Sequence, residues 1–294
     1  MAIPWVKDLD FEYAVVQTVS PLIRRVVARN PGPFTAQGTG TYIVGHGQVA
    51  VIDPGPLLAE HIEALLSGLR GETVTHLLVT HTHRDHSPAA APVKQATGAS
   101  TYGYGPHAAG IGPASEEGGD QDFSPDQRII EGESVSGKGW RLNAVHTPGH
   151  TSNHLCYALE EEKILFTGDH VMGWSTTIVA PPDGNMTDYM HSLERLLERE
   201  DTLYLPTHGP GITDPHTHVR ALIAHRQKRH DAILRALADG SRTIPEIVKE
   251  LYVGLDPRLR VAAGYSVLAH LVEMVRTGEA STDGPPSIEA IYHR

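Results

Sequence analysis

The sequence predicts a mixed α/β protein in which two sheets carry helices on their outer faces, with a small helical unit appended. Three observations carry that expectation. Short apolar runs of strand length recur through the first two-thirds of the 294 residues. Two of these runs lead directly into helical periodicity, giving βα units. The composition shifts near residues 213–229, and only helical patterns follow.

Each element has a local reason. TYIVG (41–45) and QVAVID (48–53) are short apolar strands separated by Gly45-His46-Gly47, a hairpin signal. Pro54-Gly55-Pro56 ends the second strand, and residues 57–69 then place Leu58, Ile62, Leu65, Leu66 and Leu69 at helical spacing. VTHLLVT (74–80) is a continuous apolar run, as a strand buried on both faces requires. Ser87-Pro88 is a helix-start pair, with Ser87 as the expected N-cap. A strand over 99–104 precedes a Gly-, Pro- and Glu-rich loop (105–124). Further strands are expected near 127–130, 140–145, 154–159, 163–167 and 202–205. An amphipathic helix over 187–198 sets Tyr189, Leu193, Leu196 and Leu197 on one side. Three helices follow over 219–238, 243–252 and 257–277, so the expected domains are 1–218 and 219–294. No internal repeat is present.

Composition narrows the function classes. Hydrophobic residues make up 40% and charged residues 20%, as in ordinary globular proteins. No apolar stretch approaches the ~18 residues of a membrane span, and the N-terminus lacks the basic-then-apolar pattern of a signal peptide. The expected compartment is therefore the cytoplasm. Cys156 is the only cysteine, which excludes an intrachain disulfide and any multi-cysteine metal site. A net charge of −11 argues against gripping nucleic acid by its phosphates, where basic faces supply the affinity.

The chemistry concentrates in VTHTHRDHS (79–87), just past the end of a buried strand. His81 and His83, two apart on an extended loop, point the same way, and Asp85 and His86 reach a neighbouring point. Imidazole and carboxylate suit Zn²⁺, Fe²⁺ or Mn²⁺ rather than a soft metal. The competing reading is a solvated histidine-rich loop. Against it, His146, Asp169 and His208 each follow a strand directly and open a Gly- or Pro-containing turn. Strand ends of a layered sheet converge on one edge, where sites are built.

H-x-H-x-D-H followed by a lone His, a lone Asp and a lone His resembles the metallo-β-lactamase superfamily, from about Thr35 to Pro210. The resemblance implies a four-layer αβ/βα sandwich with two metals, expected to be zinc with iron or manganese as alternatives. It implies His81, His83 and His146 on one metal, Asp85, His86 and His208 on the other, and Asp169 bridging both. A hydroxide shared by the metals, roughly 3.5–4 Å apart in such sites, is the implied nucleophile, with Asp85 or a metal-bound water managing the proton. The bridging Asp169 points away from β-lactam hydrolysis and toward thioesterases, lactonases and phosphodiesterases. His83 departs from the H-x-E-x-D-H pattern of the flavodiiron branch.

NPGPFTAQGTGTYIVG (30–45), HTPGHTSNH (146–154), TGDHVMGWSTTI (167–178), DYMHSLERLL (188–197) and PTHGP (206–210) are similar to the β-lactamase-like protein 2 group. A winged-helix-like domain follows in that group, starting with a helix that carries His-Arg, here His225-Arg226. Gly40 stands where the group commonly has Asn. Two activities are implied: hydrolysis of a small ester, thioester or lactone, and, as the alternative, endoribonuclease action on single-stranded RNA, which the charge disfavours. A catalytically silent module is the remaining class, and no ligand is missing to favour it.

Other residues carry two readings each. Asp53 either orients a metal-ligand histidine or forms an Asp-Pro turn. His150 and His154 are expected to pack or stabilise the loop rather than to ligate. Ser175-Thr176-Thr177 line a substrate cleft or form a polar turn. His225 and Arg226 either reach the site, Arg suiting a carboxylate or phosphate, or lie on a solvated helix face. Residues 229–280 hold seven bases and seven acids, so this unit is expected to be structural or substrate-capping rather than DNA-binding. Val267, Leu268, Leu271, Val272 and Val275 form either that domain's core or a homodimer surface.

Overall fold

The computed structural model describes residues 2–106 and 118–294. In chain order, β1 (Gln17–Thr18), β2 (Ile23–Val27), β3 (Gly40–Val44) and β4 (Gln48–Ile52) precede α1 (Ala59–Gly68), β5 (Thr73–Leu78), α2 (Ala90–Thr97), β6 (Ser100–Gly103) and β7 (Gln127–Arg128). Together these strands make one seven-stranded sheet in sequence order, antiparallel through β4 and parallel from β4 to β7. The second sheet is built from β8 (Ser134–Gly137), β9 (Trp140–His146), β10 (Leu155–Leu159), β11 (Ile164–Gly168) and, after α3 (Met186–Leu196), β12 (Leu203–Pro206). Its order is β12-β11-β10-β9-β8, with only β11 and β12 parallel.

Period-2 alternation sorts the side chains into four layers. On β4, Ala50 and Ile52 face the second sheet, while Val49 and Val51 face Leu65 of α1 and Val93 of α2. On β10, Leu155, Tyr157 and Leu159 enter the space between the sheets, whereas Cys156 and Ala158 meet Tyr189 and Leu193 of α3. The inter-sheet core joins Tyr42, Ile52 and Leu78 to Leu142, Tyr157, Phe166 and Leu205. Each such fully buried side chain contributes roughly 1.5–3 kcal/mol. The sandwich is therefore αβ/βα.

The third unit contains β13 (Arg242–Thr243), α5 (Ile244–Leu251), α6 (Arg260–Thr277), β14 (Ser281–Thr282) and β15 (Ile291–His293), and its small sheet runs β13-β15-β14. It is reached along α4 (Pro215–Ala238), whose start is set by Asp214 accepting from the Thr217 amide and by Pro215 in its first turn. This helix starts four residues before the expected one, and the 218/219 division falls inside it. Val219 and Leu222 pack on the sandwich, and Ile233 and Leu237 on the terminal unit. The short wing strands β13–β15 were invisible in a purely helical reading, since two- and three-residue strands carry no periodicity.

One expectation needs correction. Ser87 does not cap α2: its hydroxyl donates to Asp120 Oδ2 at 2.6 Å, and the helix begins at Ala90 after a tight turn. Of the two readings of Val267, Leu268, Leu271, Val272 and Val275, the structure favours the domain core: the first three are buried there, with Val272 and Val275 packed against it. β1, β2 and β8 are strands that the sequence reading did not contain, β1 and β8 at sheet edges. Part of the expected 105–124 loop, residues 107–117, lies outside the described residues. No described helix is long and apolar enough to cross a membrane.

Candidate metal centre

The site lies where β5, β11 and β12 end and the turn after β9 folds back. His81, His83, Asp85 and His86 follow β5, Asp169 follows β11, and His208 follows β12. All six are buried. The seventh member is His150, not His146. The ligand-capable atoms of His81, His83, His150 and Asp169 form one cluster, and those of Asp85, His86 and His208 a second, each within 4.8 Å.

His146 is kept out by its place in the fold. It is the last residue of β9, still paired with Leu155, and its ring stacks on Tyr104 with centroids 4.3 Å apart. Its Nε2 donates to the Ser152 carbonyl at 3.0 Å. The chain then makes a closed excursion, tied at its base by the Thr147 amide on the His154 carbonyl, whose apex presents His150. Gly149 makes the turn passable: its φ is +138°, and a Cβ there would lie 2.3 Å from the Tyr189 Cα. The expectation that the first histidine after the strand ligates overlooked Pro148-Gly149, the turn signal immediately before His150. His154 is, as expected, a support: its Nε2 accepts from the Asp169 amide at 3.2 Å.

The far nitrogen of four imidazoles is held by the protein, which fixes tautomer and ring orientation. His86 Nδ1 donates to Asp53 Oδ2 at 2.9 Å, His150 Nδ1 to the Ile178 carbonyl at 2.7 Å, and His208 Nδ1 to the Gly38 carbonyl at 3.2 Å. His81 Nδ1 lies 3.1 Å from Thr80 Oγ1, which itself donates to Asp53. Asp53 also accepts from the Thr80 amide and from Thr207 Oγ1, at 2.8 and 2.9 Å. One carboxylate thereby joins the β5 and β12 ligand loops, the orienting role rather than a bare turn. Gly40 sits beside this joint: its amide donates to the Thr207 carbonyl, and a Cβ would meet that oxygen at 3.1 Å.

The opposite nitrogens and oxygens converge. His83 Nδ1 is 2.9 Å from His81 Nε2 and 3.2 Å from His150 Nε2. Asp169 Oδ2 is 3.5 Å from both His86 Nε2 and His208 Nε2, and 3.9 Å from His150 Nε2, so it touches both clusters. Asp85 Oδ2 lies 3.1 Å from His208 Nε2 and accepts from Thr39 Oγ1 at 3.0 Å. Asp85 Oδ1, Asp169 Oδ1, His86 Nε2 and His208 Nε2 are buried without hydrogen-bond partners. Unsatisfied buried polar atoms are costly, and four of them in these two clusters fit cations of the imidazole–carboxylate class.

The electrostatics agree. Burial opposes ionisation of Asp85 and Asp169, but facing His86 and His208 outweigh it and hold both carboxyls below the usual range. Burial also opposes protonation of His86 and His208, and the carboxylates outweigh it there, raising both. His81, among other histidines, is pushed down by burial and by their charge. His81 is thus held as a neutral donor, while the carboxylates of Asp85 and Asp169 make the His86–His208 side a place where positive charge is wanted.

Residues 35–208 match the metallo-beta-lactamase superfamily, and residues 243–285 match the beta-lactamase associated winged helix domain. The chain belongs to the metallo-beta-lactamase superfamily. It is 33% identical over 247 residues to an atrochrysone carboxyl ACP thioesterase of Claviceps purpurea, covering 81% of this chain and 74% of that protein. A beta-lactamase-like protein 2 homolog of Caenorhabditis elegans is 30% identical over 282 residues, covering 90% and 87%. In fold, a beta-lactamase domain protein from Burkholderia ambifaria superposes with a TM-score of 0.82 at 24% identity, covering 98% and 95%. The chain is thus a metallo-beta-lactamase superfamily hydrolase with a C-terminal winged helix.

A cleft of about 320 Å³ opens over the centre of this superfamily hydrolase. His150 and Asp169 line it from the sandwich together with Phe34, Met172 and the segment from Trp174 to Ile178. The winged-helix side closes it with His225, Arg226, Arg229, Tyr252 and Ser266. Ser175, Thr176 and Thr177 therefore do line the cleft, and the terminal unit caps it.

Proposed function

We propose that the protein is a dinuclear, metal-dependent hydrolase, with zinc as the resident metal, acting on the acyl carbon of a small thioester or related ester or lactone. The observation that carries this reading is the grouping of four buried atoms that make no hydrogen bond, on Asp85, His86, Asp169 and His208, beside the triad His81, His83 and His150. His81, His83 and His150 would hold one ion, Asp85, His86 and His208 the other, with Asp169 between them. Bound divalent ions supply Lewis acidity, polarising an acyl carbonyl and lowering the pKa of water.

The residues of the chain do the remainder. Asp53, Ile178 and Gly38 lock the imidazoles so that no reorganisation is needed during the reaction. Asp85, held by the Thr39 hydroxyl on Oδ2, is placed beside the centre to accept and return the proton of an attacking water. The cleft, walled on one side by the winged-helix unit, limits the solvent around the scissile bond. The thioester class is supported by the Claviceps thioesterase relative, and the cleft volume suits a small molecule.

Metal analysis of the purified protein, followed by hydrolysis of N-acetylcysteamine thioesters, acyl lactones and β-lactams, tests this reading. Two divalent ions per chain and thioester turnover abolished by Asp169→Ala are expected. Absence of stoichiometric metal, or full activity in Asp169→Ala, overturns it.

A further inference from the structure

The capping helix α4 brings three nitrogen-bearing side chains into the cleft, and what they face is unusual. Arg226 is only 3% exposed, so the solvated-face reading fails. Its Nη2 donates to the Thr177 carbonyl, but its Nε has no partner. One turn on, Arg229 lies over the Tyr252 ring at 4.1 Å and donates to the Leu251 carbonyl through Nη1, again leaving Nε unpartnered. His225 Nδ1 and, across the cleft, Trp174 Nε1 are unpartnered too. Among the described residues, no ion pair joins Arg226 or Arg229 to a carboxylate.

A buried guanidinium without a counterion is expensive to fold, and so are buried donors left unmade. Both costs vanish if a bound molecule supplies an oxyanion. The placement is set by one short relay. Arg226 holds the Thr177 carbonyl, and Thr177 Oγ1 donates to the Asp169 carbonyl at 2.7 Å. The cationic wall is thus one residue removed from the metal centre. Tyr252, Phe34, Met172 and Trp174 supply apolar surface around it.

We infer that His225, Arg226, Arg229 and the Trp174 indole form an anion clamp that selects acyl substrates carrying a carboxylate at the end remote from the scissile bond. The inference rests on the proposed acyl hydrolysis and names its substrate class. Paired guanidinium forks suit a carboxylate bidentately. The small volume of the cleft, about 320 Å³, and the protein's net charge of −11 set aside a polyanion.

The test compares glutaryl and pentanoyl N-acetylcysteamine thioesters, identical but for a terminal carboxylate, on the metal-loaded protein. The glutaryl thioester is expected to have the higher kcat/KM by about tenfold. Arg229→Gln, chosen because Arg229 is only half-buried, should collapse that ratio through KM, and Arg229→Lys should restore part of it. A second arm measures binding of free glutarate and pentanoate by calorimetry, which needs no turnover. Both acids can reach the metals, so only the second carboxylate distinguishes them. Tighter glutarate binding lost in Arg229→Gln, with no thioester hydrolysed, retains the clamp and overturns the acyl-hydrolase reading. Thioester turnover with no carboxylate preference, or a ratio unmoved by Arg229→Gln, overturns the clamp. A 4-phosphonobutanoyl thioester outpacing the glutaryl one overturns the assignment to carboxylate.

Discussion

Asp53 Oδ2 accepts from His86 Nδ1 at 2.9 Å while the same oxygen accepts from Thr80 Oγ1 and Thr207 Oγ1. The residue holds a φ of +48°, a strained conformation for a non-glycine. One buried carboxylate thereby aligns a metal-facing imidazole and pins the two loops that carry His81 and His208. Asp53→Ala is expected to weaken divalent-metal affinity at the His86 side by about 10–100-fold. Titration of the metal-free protein with Zn²⁺ in a competing chelator reads this directly.

His150 and His146 give opposite forecasts from positions four residues apart. His150→Ala removes a nitrogen from the cluster of His81, His83 and Asp169, and should leave about one metal per chain with activity lowered by orders of magnitude. His146→Ala removes only a stack on Tyr104 and one hydrogen bond, and should keep both metals. Metal stoichiometry of the two variants, measured side by side, decides between them.

Gly149 is a backbone requirement rather than a side-chain choice. Gly149→Ala forces a Cβ within 2.3 Å of the Tyr189 backbone and imposes a positive φ on alanine. A loss of about 1–3 kcal/mol in stability is expected, with metal binding impaired through His150. Chemical denaturation of the metal-free variant reads the first effect, and metal content the second.

His61 predicts a pH dependence separate from the metal centre. It is buried against Thr41 Oγ1 and the Pro54 carbonyl, and burial pushes its pKa down to about 4 from an ordinary 6.5. The unfolded chain therefore binds a proton that the folded chain refuses. This penalty is absent above pH 6.5 and grows as pH falls from 6.5 toward 4, at up to about 1.4 kcal/mol per unit. His61→Gln should flatten the fall in stability across that window, as measured by urea denaturation at several pH values. An unchanged slope would show that other buried histidines set it.

Much of the sandwich was legible in the chain because its strands are short, apolar and punctuated by Gly and Pro. The strands from β3 to β6 and β9 to β12, with α1 and α3, follow directly from periodicity of 2 or 3.6 residues. His81, His83, Asp85, His86, Asp169 and His208 were legible for a related reason: each follows a strand end, and strand ends share an edge. The choice between His146 and His150 was not. Both lie in one nine-residue stretch, and only the β9–β10 register and the clearance against α3 decide which ring turns inward. The burial of Arg226 was equally hidden, because a basic residue on a helix reads as solvent-facing until the helix is packed. Sequence by itself determined the layered fold and six of seven inward-facing ligand candidates, since those depend on local pattern. Tertiary structure alone decided the seventh, the capping role of the winged helix and the uncompensated charge in its wall, since those depend on what distant segments leave unpaired.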